Sequence, residues 1–266
     1  MPVGTIKSID DFGDGGVITQ KDLSEINFSG APPTGAEVGS VVSYEIDDSV
    51  NPPKAVDLQF PAVIADPDLD FPQDDDYPGA EIIIDPKNGD LNIGSGQTVI
   101  VKGTTVTGSV TISGGGTLVL KSTDDTGAQR ATVTGNVTAQ SAGNGNINSY
   151  KSDIQGSLTF KNNDECKLKG VNIGGDGDIR NSQTVSIKTG TIGGDGDIRN
   201  MKNSVFIDDL NLSGTNAELI VKNNKVSTVV ENVEVPNGEV TIKNNQGCNY
   251  SNISEPNDIS SCTLEV

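Results

Sequence analysis

The chain has 266 residues, a formal net charge of −19, 32 glycines, 4% aromatic residues, and neither histidine nor tryptophan. Abundant glycine with few aromatic residues favours many short strands and tight turns over a bundle of helices. The lack of histidine excludes Ser-His-Asp triads and argues against zinc sites, and the acidic balance argues against a nucleic-acid partner, whose phosphates are bound by Lys and Arg.

The sequence of residues 1–60 predicts five short strands, which is the number that forms a small β-barrel. The segments are separated by turns rich in Gly, Pro and Asp, and they read GTIKSI, GGVIT, EINFS, SVVSYEI and KAVDLQF. This region resembles a cold-shock domain, which has an OB-type fold, over Gly4–Lys7, Gly16–Thr19, Asn27–Ser29, Gly39–Ile46 and Pro53–Val56. The resemblance implies a five-stranded OB-like barrel, and single-stranded nucleic acid as the ligand of the family.

The aromatic surface on which cold-shock domains stack bases is missing from this barrel. The corresponding positions of the two RNA-binding motifs carry Gly15, Val17, Glu25 and Asn27. Each stacked base contributes about 1–3 kcal/mol to binding, so the loss matters. Lys7 and Phe28 remain as candidate nucleic-acid-binding residues, and we expect a barrel that has kept its fold and lost its ligand surface.

Residues 61–80, PAVIADPDLDFPQDDDYPGA, carry four prolines and six aspartates and predict an acidic linker. Asp66, Asp68 and Asp70 alternate like the start of an EF-hand loop. Such a loop also needs Gly at its sixth position and Glu at its twelfth, where this chain has Phe71 and Tyr77. The segment is therefore not an EF-hand, and two interpretations stay open: a solvated spacer, or a looser calcium site.

From residue 81 onward the chain repeats with a period of 19 to 23 residues, most plainly as GGDGDIRN at 174–181 and 193–200. Aligned repeats give three apolar columns. The first is Phe160, Ile179, Ile198, Val221 and Ile242; the second is Cys166, Val185 and Val205 with Leu168, Ile187 and Ile207; the third is Ile173, Ile192 and Leu212. Three short strands per turn, each with alternate residues inward, are typical of a parallel β-helix. The pattern resembles right-handed parallel β-helix proteins and predicts about eight rungs within one chain over residues 81–266.

An asparagine follows each member of the first column by two positions. These residues are Asn162, Asn181, Asn200, Asn223 and Asn244. Asparagine tolerates the left-handed backbone of tight turns, and its amide can bond the rungs above and below. The sequence therefore predicts a structural asparagine ladder.

Each GGDGD stretch predicts a tight corner built by glycine. Calcium-binding nonapeptide repeats and phosphate loops have a different period and spacing. Stacked rungs place equivalent aspartates next to each other: Asp176 by Asp195, and Asp178 by Asp197. Because stacked carboxylates repel, either Arg180 and Arg199 neutralise them or a cation such as calcium does.

The three cysteines are Cys166, Cys248 and Cys262, with no CxxC pair that would indicate zinc. Cys248 and Cys262 flank a loop near the C-terminus. In an oxidising compartment they would form a disulfide, and in a reducing cell they would stay free thiols. The sequence holds no apolar segment that would serve as a signal peptide or membrane span, so we expect a cytoplasmic protein or one exported without a signal peptide.

These features predict a non-enzymatic structural protein with no required cofactor, in which a rigid acidic β-helix acts as spacer, tip or assembly module. The stacked aspartates lie on an open corner, without the enclosing cleft that acid-base catalysis needs. The partners would be other proteins or further copies, since bare ends of a stack invite pairing unless capped. The barrel and the Cys248–Cys262 segment are candidate caps. The alternatives are weak single-stranded nucleic-acid binding by the barrel, and a β-helix that binds or degrades polysaccharide.

Overall fold

The computed structural model describes residues 3–10, 13–20, 24–32, 38, 41–59, 69–140, 143–224, 227–236, 238–246, 248–254 and 256–263. The chain folds as two compact units, Met1–Asp66 and Pro67–Thr263. Each unit has its own hydrophobic core. The boundary between the units lies inside the segment for which the sequence predicts a linker.

The first unit is a closed five-stranded barrel, as the sequence predicts. Its strands are β1 Val3–Ile9, β2 Gly15–Gln20, β3 Glu25–Ser29, β4 Val41–Asp47 and β5 Lys54–Gln59. They pair in the order β1-β2-β3-β5-β4 and close on β1, with β3 and β5 parallel and the other pairs antiparallel. In β3, Ile26 and Phe28 are buried while the residues between and beside them are exposed, the alternation of a strand with one face on a core.

The second unit is a parallel β-solenoid of about eight turns, which confirms the predicted fold class. Its strands are β6 Glu81–Ile83, β7 Leu91–Ile93, β8 Thr98–Lys102, β9 Thr105–Val106, β10 Val110–Ile112, β11 Thr117–Lys121, β12 Ala131–Val133, β13 Val137–Gln140, β14 Asn146–Tyr150, β15 Ser152–Ile154, β16 Leu158–Lys161, β17 Glu165–Ile173, β18 Gly177–Arg180, β19 Thr184–Ile192, β20 Gly196–Arg199, β21 Ser204–Leu212, β22 Glu218–Lys222, β23 Ser227–Glu234, β24 Glu239–Gln246, β25 Cys248–Ile253 and β26 Pro256–Thr263.

Two long sheets and a shorter third face make up the solenoid wall. The first sheet runs β7-β10-β13-β16-β18-β20-β22-β24-β26, and the second runs β6-β8-β11-β14-β17-β19-β21-β23-β25. The third face begins with β9, β12 and β15 and continues into the later half of β17. Within the described part of the chain, the only helix is one 3-10 turn, Asp74–Asp76, and no helix has the length and apolarity that a membrane crossing requires.

The three predicted apolar columns are confirmed. Phe160 pairs with Ile179, which pairs with Ile198, and the second and third columns align in the same way. Every member of the three columns is at most 3% exposed. The spacing of the repeat therefore fixes the register of the rungs.

In the middle of the stack, the second and third strands of a rung merge, whereas the sequence predicts three separate strands. β17, β19 and β21 each have nine residues and turn the corner at a residue with positive φ: Gly170 at 64°, Thr189 at 54° and Asp209 at 54°. One left-handed residue bends the chain, and the pairing to the neighbouring rungs skips only this residue before it resumes.

The predicted asparagine ladder is confirmed as a column of left-handed corner residues. Its members have φ between 53° and 56°, and Asn200 Nδ2 donates to Asn181 Oδ1 at 2.9 Å. These residues are exposed, however, and the buried polar column lies one residue later, at Asn163, Ser182, Asn224 and Asn245. There Asn224 Nδ2 donates to Asn245 Oδ1 at 2.9 Å, and Asn245 Nδ2 donates to the Val221 carbonyl at 2.8 Å. The exposed column thus has both predicted properties, and the adjacent buried column adds side-chain hydrogen bonds to backbone groups inside the turn.

Candidate functional site

The corners before six strands of the first sheet, β7, β10, β13, β16, β18 and β20, each carry a short polar side chain that caps the next rung. An oxygen of each side chain accepts the backbone N–H of its equivalent one rung on, at 2.8–3.2 Å, along the series Asp90, Ser109, Asn136, Ser157, Asp176 and Asp195, and Asp195 accepts from Glu218. Buried and half-buried backbone donors need such acceptors. One carboxylate oxygen of Asp176 and one of Asp195 are therefore used by the fold.

The second pair of stacked aspartates lies within a chain of cations on the outer face of the first sheet. Lys161 Nζ lies 2.6 Å from Asp178, and Arg180 bridges Asp178 at 2.5 Å and Asp197 at 2.6 Å. Arg199 also pairs with Asp197. Three cations therefore face two carboxylates, and the repulsion between stacked aspartates is balanced by Lys and Arg side chains of neighbouring rungs.

The predicted calcium ligands do not converge in the described part of the chain. No three Asp, Glu or Cys side chains there lie close enough together to hold a metal ion. Asp66 and Asp68 fall outside the described residues, and Asp70 is an exposed residue of the segment before the solenoid. Calcium binding by these aspartates stays a prediction.

Residues 69–80, here called the strap, lie along the outer face of the second sheet. The Asp74 carboxylate accepts hydrogen bonds from Lys102 at 2.7 Å and pairs with Lys121 at 2.5 Å. These two ammonium groups hold the pKa of the Asp74 carboxyl below its ordinary value. Lys121 also donates to the Pro72 carbonyl at 2.5 Å, and its side chain is 1% exposed. A buried cation is thus paired with a residue from the second half of the predicted linker.

Aromatic side chains continue this contact over the next rungs. The Phe71 ring meets the Tyr150 ring edge-on, with centroids 5.0 Å apart, and Lys169 donates to the Leu69 carbonyl at 2.8 Å. Asn148 Nδ2 donates to the Tyr77 hydroxyl at 2.6 Å. A cavity of about 180 Å³ remains between strap and sheet. That is below the roughly 300–1,000 Å³ of small-molecule sites, so the contact serves packing first.

Two apolar side chains on the outer face of the second sheet, Ile100 and Val119, need a cover that shields them from water. They pair with each other in an outward column of the second sheet, yet both are fully buried. The next member of this column is Asn148, which bonds to Tyr77 of the strap. The strap therefore shields two apolar side chains whose burial stabilises the unit by about 1.5–3 kcal/mol each. The sequence signal for this contact was the apolar outward pair, in a position where a solvated sheet would carry polar residues.

Of the two candidate nucleic-acid-binding residues, Phe28 faces the interior of the barrel and Lys7 lies on its surface. Phe28 is 3% exposed and belongs to the barrel core, with its ring over Gly16: a Cβ on Gly16 would lie 2.6 Å from Phe28 Cε1. Phe28 therefore serves the barrel core, and nucleic-acid binding by Phe28 stays a prediction. Lys7 pairs with Glu25 across the barrel surface. Asp10 and Asp14 line the shallow depression nearby and add negative charge.

The cysteines separate into a core residue and two residues near the end of the described chain. Cys166 is fully buried in the solenoid core, and burial raises the pKa of its thiol above the ordinary value. Cys248 and Cys262 belong to β25 and β26, but their side chains lie outside what the structure describes. Their disulfide stays a prediction.

The two end rungs of the solenoid expose apolar side chains. Ile82 is 46% exposed and Ile84 is 65% exposed at the first rung, and Tyr250 is 43% exposed at the last described rung. Among the described residues of the second unit, these are the exposed large apolar side chains. No protein-family model, curated protein or solved structure matches the chain.

Proposed function

We infer that this chain is a non-enzymatic structural and interaction protein, in which a rigid acidic β-solenoid serves as an assembly module that contacts other proteins. The observation that carries this proposal concerns the described residues of the second unit: their exposed large apolar side chains all lie in its two end rungs. Exposed apolar patches rimmed by polar residues mark protein contacts. Unpaired strand edges at the same ends add hydrogen-bonding groups that a partner can satisfy.

The use of the corner carboxylates supports a non-enzymatic role. Asp176 and Asp195 accept backbone hydrogen bonds, and Asp178 and Asp197 are held by Lys161, Arg180 and Arg199. A general acid or base needs a free position toward a substrate and a perturbed environment that excludes water. These aspartates have structural partners on an open face.

For the barrel we propose a cold-shock-like OB domain without its ligand surface. The pairing order β1-β2-β3-β5-β4 with a parallel β3–β5 contact supports the fold assignment. The buried ring of Phe28 and the Lys7–Glu25 pair leave this surface without the aromatic platform that single-stranded nucleic acid requires. In this proposal the barrel is a folded domain that precedes the solenoid in the chain and does not bind nucleic acid.

Site-specific photo-crosslinking tests the proposed function. Benzoylphenylalanine replaces Ile84 at the end rung or, as the matched control, Thr138, which faces outward in an internal strand of the first sheet. In extracts of cells that make the protein, we expect protein adducts from position 84 and none from position 138. Equal labelling at both positions, or none at either in a folded protein, contradicts the proposal.

A binding assay addresses the nucleic-acid alternative. Fluorescence anisotropy of a labelled single-stranded oligonucleotide is measured at low salt, where phosphate contacts are strongest. We expect no change in anisotropy on adding the protein. Saturable binding that Lys7→Ala weakens would make the barrel a nucleic-acid domain.

A further inference from the structure

We propose that the partner at the solenoid ends is a second copy of the same chain, stacked head to tail. We further propose that the charges of Glu81 and Lys87 lower the affinity of this stacking. The proposal rests on the proposed function, because it names the partner of the ends identified there. It follows from three features of the stack: the direction of its strands, the continuity of its inward columns and the residues at the first rung.

The strand edges at the two ends are complementary by construction. Every strand pair in the two long sheets is parallel, with the same direction along the whole stack. At one end β6 and β7 have no outer neighbour among the described residues, and at the other end β25 and β26 have none. Translating one copy along the stack brings β26 beside β7 and β25 beside β6. The new pairs would repeat the geometry of every internal pair.

The inward columns continue across this junction. One column of the second sheet runs Ile83, Val101, Leu120, Ser149, Leu168, Ile187, Ile207, Val230 and Tyr250. Its two ends are therefore Ile83 and Tyr250. Stacking would place Tyr250 of one copy next to Ile83 of the following copy, within an apolar column. In the first sheet, position 259 would similarly meet Ile93.

The first rung differs from the others at two inward positions. Glu81 is in register with the core residue Val99, and Lys87 is in register with the core residue Val106. At the equivalent positions of the later described rungs these two columns carry uncharged residues. Inward-pointing charges on an edge are a known protection against edge-to-edge pairing, because stacking would bury them. Glu81 and Lys87 therefore oppose the contact that the backbone and the other columns favour.

The test uses the full chain with both charges replaced, Glu81→Val and Lys87→Val. Sedimentation velocity and light scattering are measured over a range of protein concentrations. We expect the double variant to form linear assemblies at roughly 100-fold lower concentration than the unaltered chain, because the buried charges no longer oppose association. Electron microscopy should show rods one solenoid wide.

Two further variants keep the result specific. The first is Glu165→Val with Lys167→Val, which likewise replaces one acidic and one basic side chain by valine. These two residues lie on an outward face in the middle of the stack, where they form an ion pair at 2.9 Å. This control should not assemble. Adding Tyr250→Lys to the Glu81/Lys87 variant should abolish the rods, because it places a charge at the other end of the junction.

Three results would overturn the proposal. They are equal association of the double variant and the unaltered chain, assembly by the outward control, and rods that survive Tyr250→Lys. If self-association fails while position 84 still crosslinks to another protein, the second-copy inference falls and the proposed function stands. If the crosslinks fail as well, both fall.

Discussion

The barrel and the solenoid are both built from strands, but they satisfy their backbone groups in different ways. In the barrel, β1 pairs with both β2 and β4, so the sheet closes without an edge. In the solenoid, each internal strand pairs with its equivalents one rung away, and the sheets stop at strands without an outer neighbour among the described residues. A closed sheet has no unpaired edge strand. A stack must instead satisfy the backbone groups of its corners along its whole length, and the strands at its two ends must be kept from pairing with other chains.

The two units also place polar groups differently. The barrel core contains Ile6, Ile18, Ile26, Phe28, Val42, Tyr44 and Ala55. The solenoid adds buried polar residues such as Asn163, Asn224 and Asn245 to its apolar columns. Tight corners turn backbone donors and acceptors toward the interior, where a side-chain amide can satisfy them. Substitutions that remove core, polar or charged side chains from each unit test this difference.

The largest expected effect is the independent loss of either core. Phe160→Ala should destabilise the solenoid by about 3–5 kcal/mol, because it leaves a cavity in a fully packed column. Phe28→Ala should do the same to the barrel. Hydrogen exchange read by mass spectrometry in increasing urea follows both units at once. Loss of protection in both units after either single substitution would contradict two separate cores.

Removal of the interior asparagine ladder should have the next largest effect. Asn245→Ala removes the acceptor of the Asn224 backbone N–H, which is buried, and should cost about 2–3 kcal/mol. The neighbour Asn244 is the matched control: Asn244→Gly keeps the left-handed corner, where Asn244 has φ of 54°, and should change stability by less than about 1 kcal/mol. Urea unfolding measures both. Equal losses would remove the distinction between the two columns.

The strap should respond to the loss of its carboxylate. Asp74→Asn leaves the buried Lys121 ammonium without a carboxylate in the strap, with only the Pro72 carbonyl and the Phe71 ring beside it there, and should cost about 1–2 kcal/mol. Amides of residues 69–80 should then exchange roughly tenfold faster. Unchanged exchange would show that the aromatic contacts alone hold the strap.

The pH dependence of the strap follows from the same pair. Because the folded pKa of Asp74 is below its ordinary value of 3.8, its stabilisation is present above that value and is lost as the pH falls through the folded pKa. Strap exchange in the unaltered chain, corrected for the intrinsic effect of pH, should therefore rise below pH 3.8. Asp74→Asn should lack this rise. An identical rise in the exchange rate of the variant would show that other carboxyl groups cause the pH dependence.

The smallest expected effect is on the barrel surface. Lys7 and Glu25 are about half exposed, 55% and 50%, so Lys7→Ala should change stability by less than about 1 kcal/mol. Thermal unfolding at low and high salt measures this, and the difference should shrink in high salt. A larger loss would show that the barrel depends on this pair in the way the strap depends on Lys121.

Patterns that repeat a residue type were predicted well from the sequence. The columns through Phe160 and Leu168 and the corner asparagines recur at a fixed offset, since stacked strands must keep one register. The capping column was missed because its members share only a short acceptor side chain: Asp90, Ser109 and Asn136 look unrelated in sequence. The buried Asn163 column was missed because Ser182 and Met201 interrupt its residue type.

The sequence by itself determined the all-strand character, the five strands of the barrel, the length of a rung and the three inward columns of the solenoid. These follow from local propensity and from the alternation of strands. Only the tertiary structure decided that Asp74 pairs with Lys121, that Phe28 faces the barrel core, and that Arg180 bridges aspartates of two rungs. Such contacts join residues without a fixed spacing, and their partners are selected by which polar groups lose water when the chain packs.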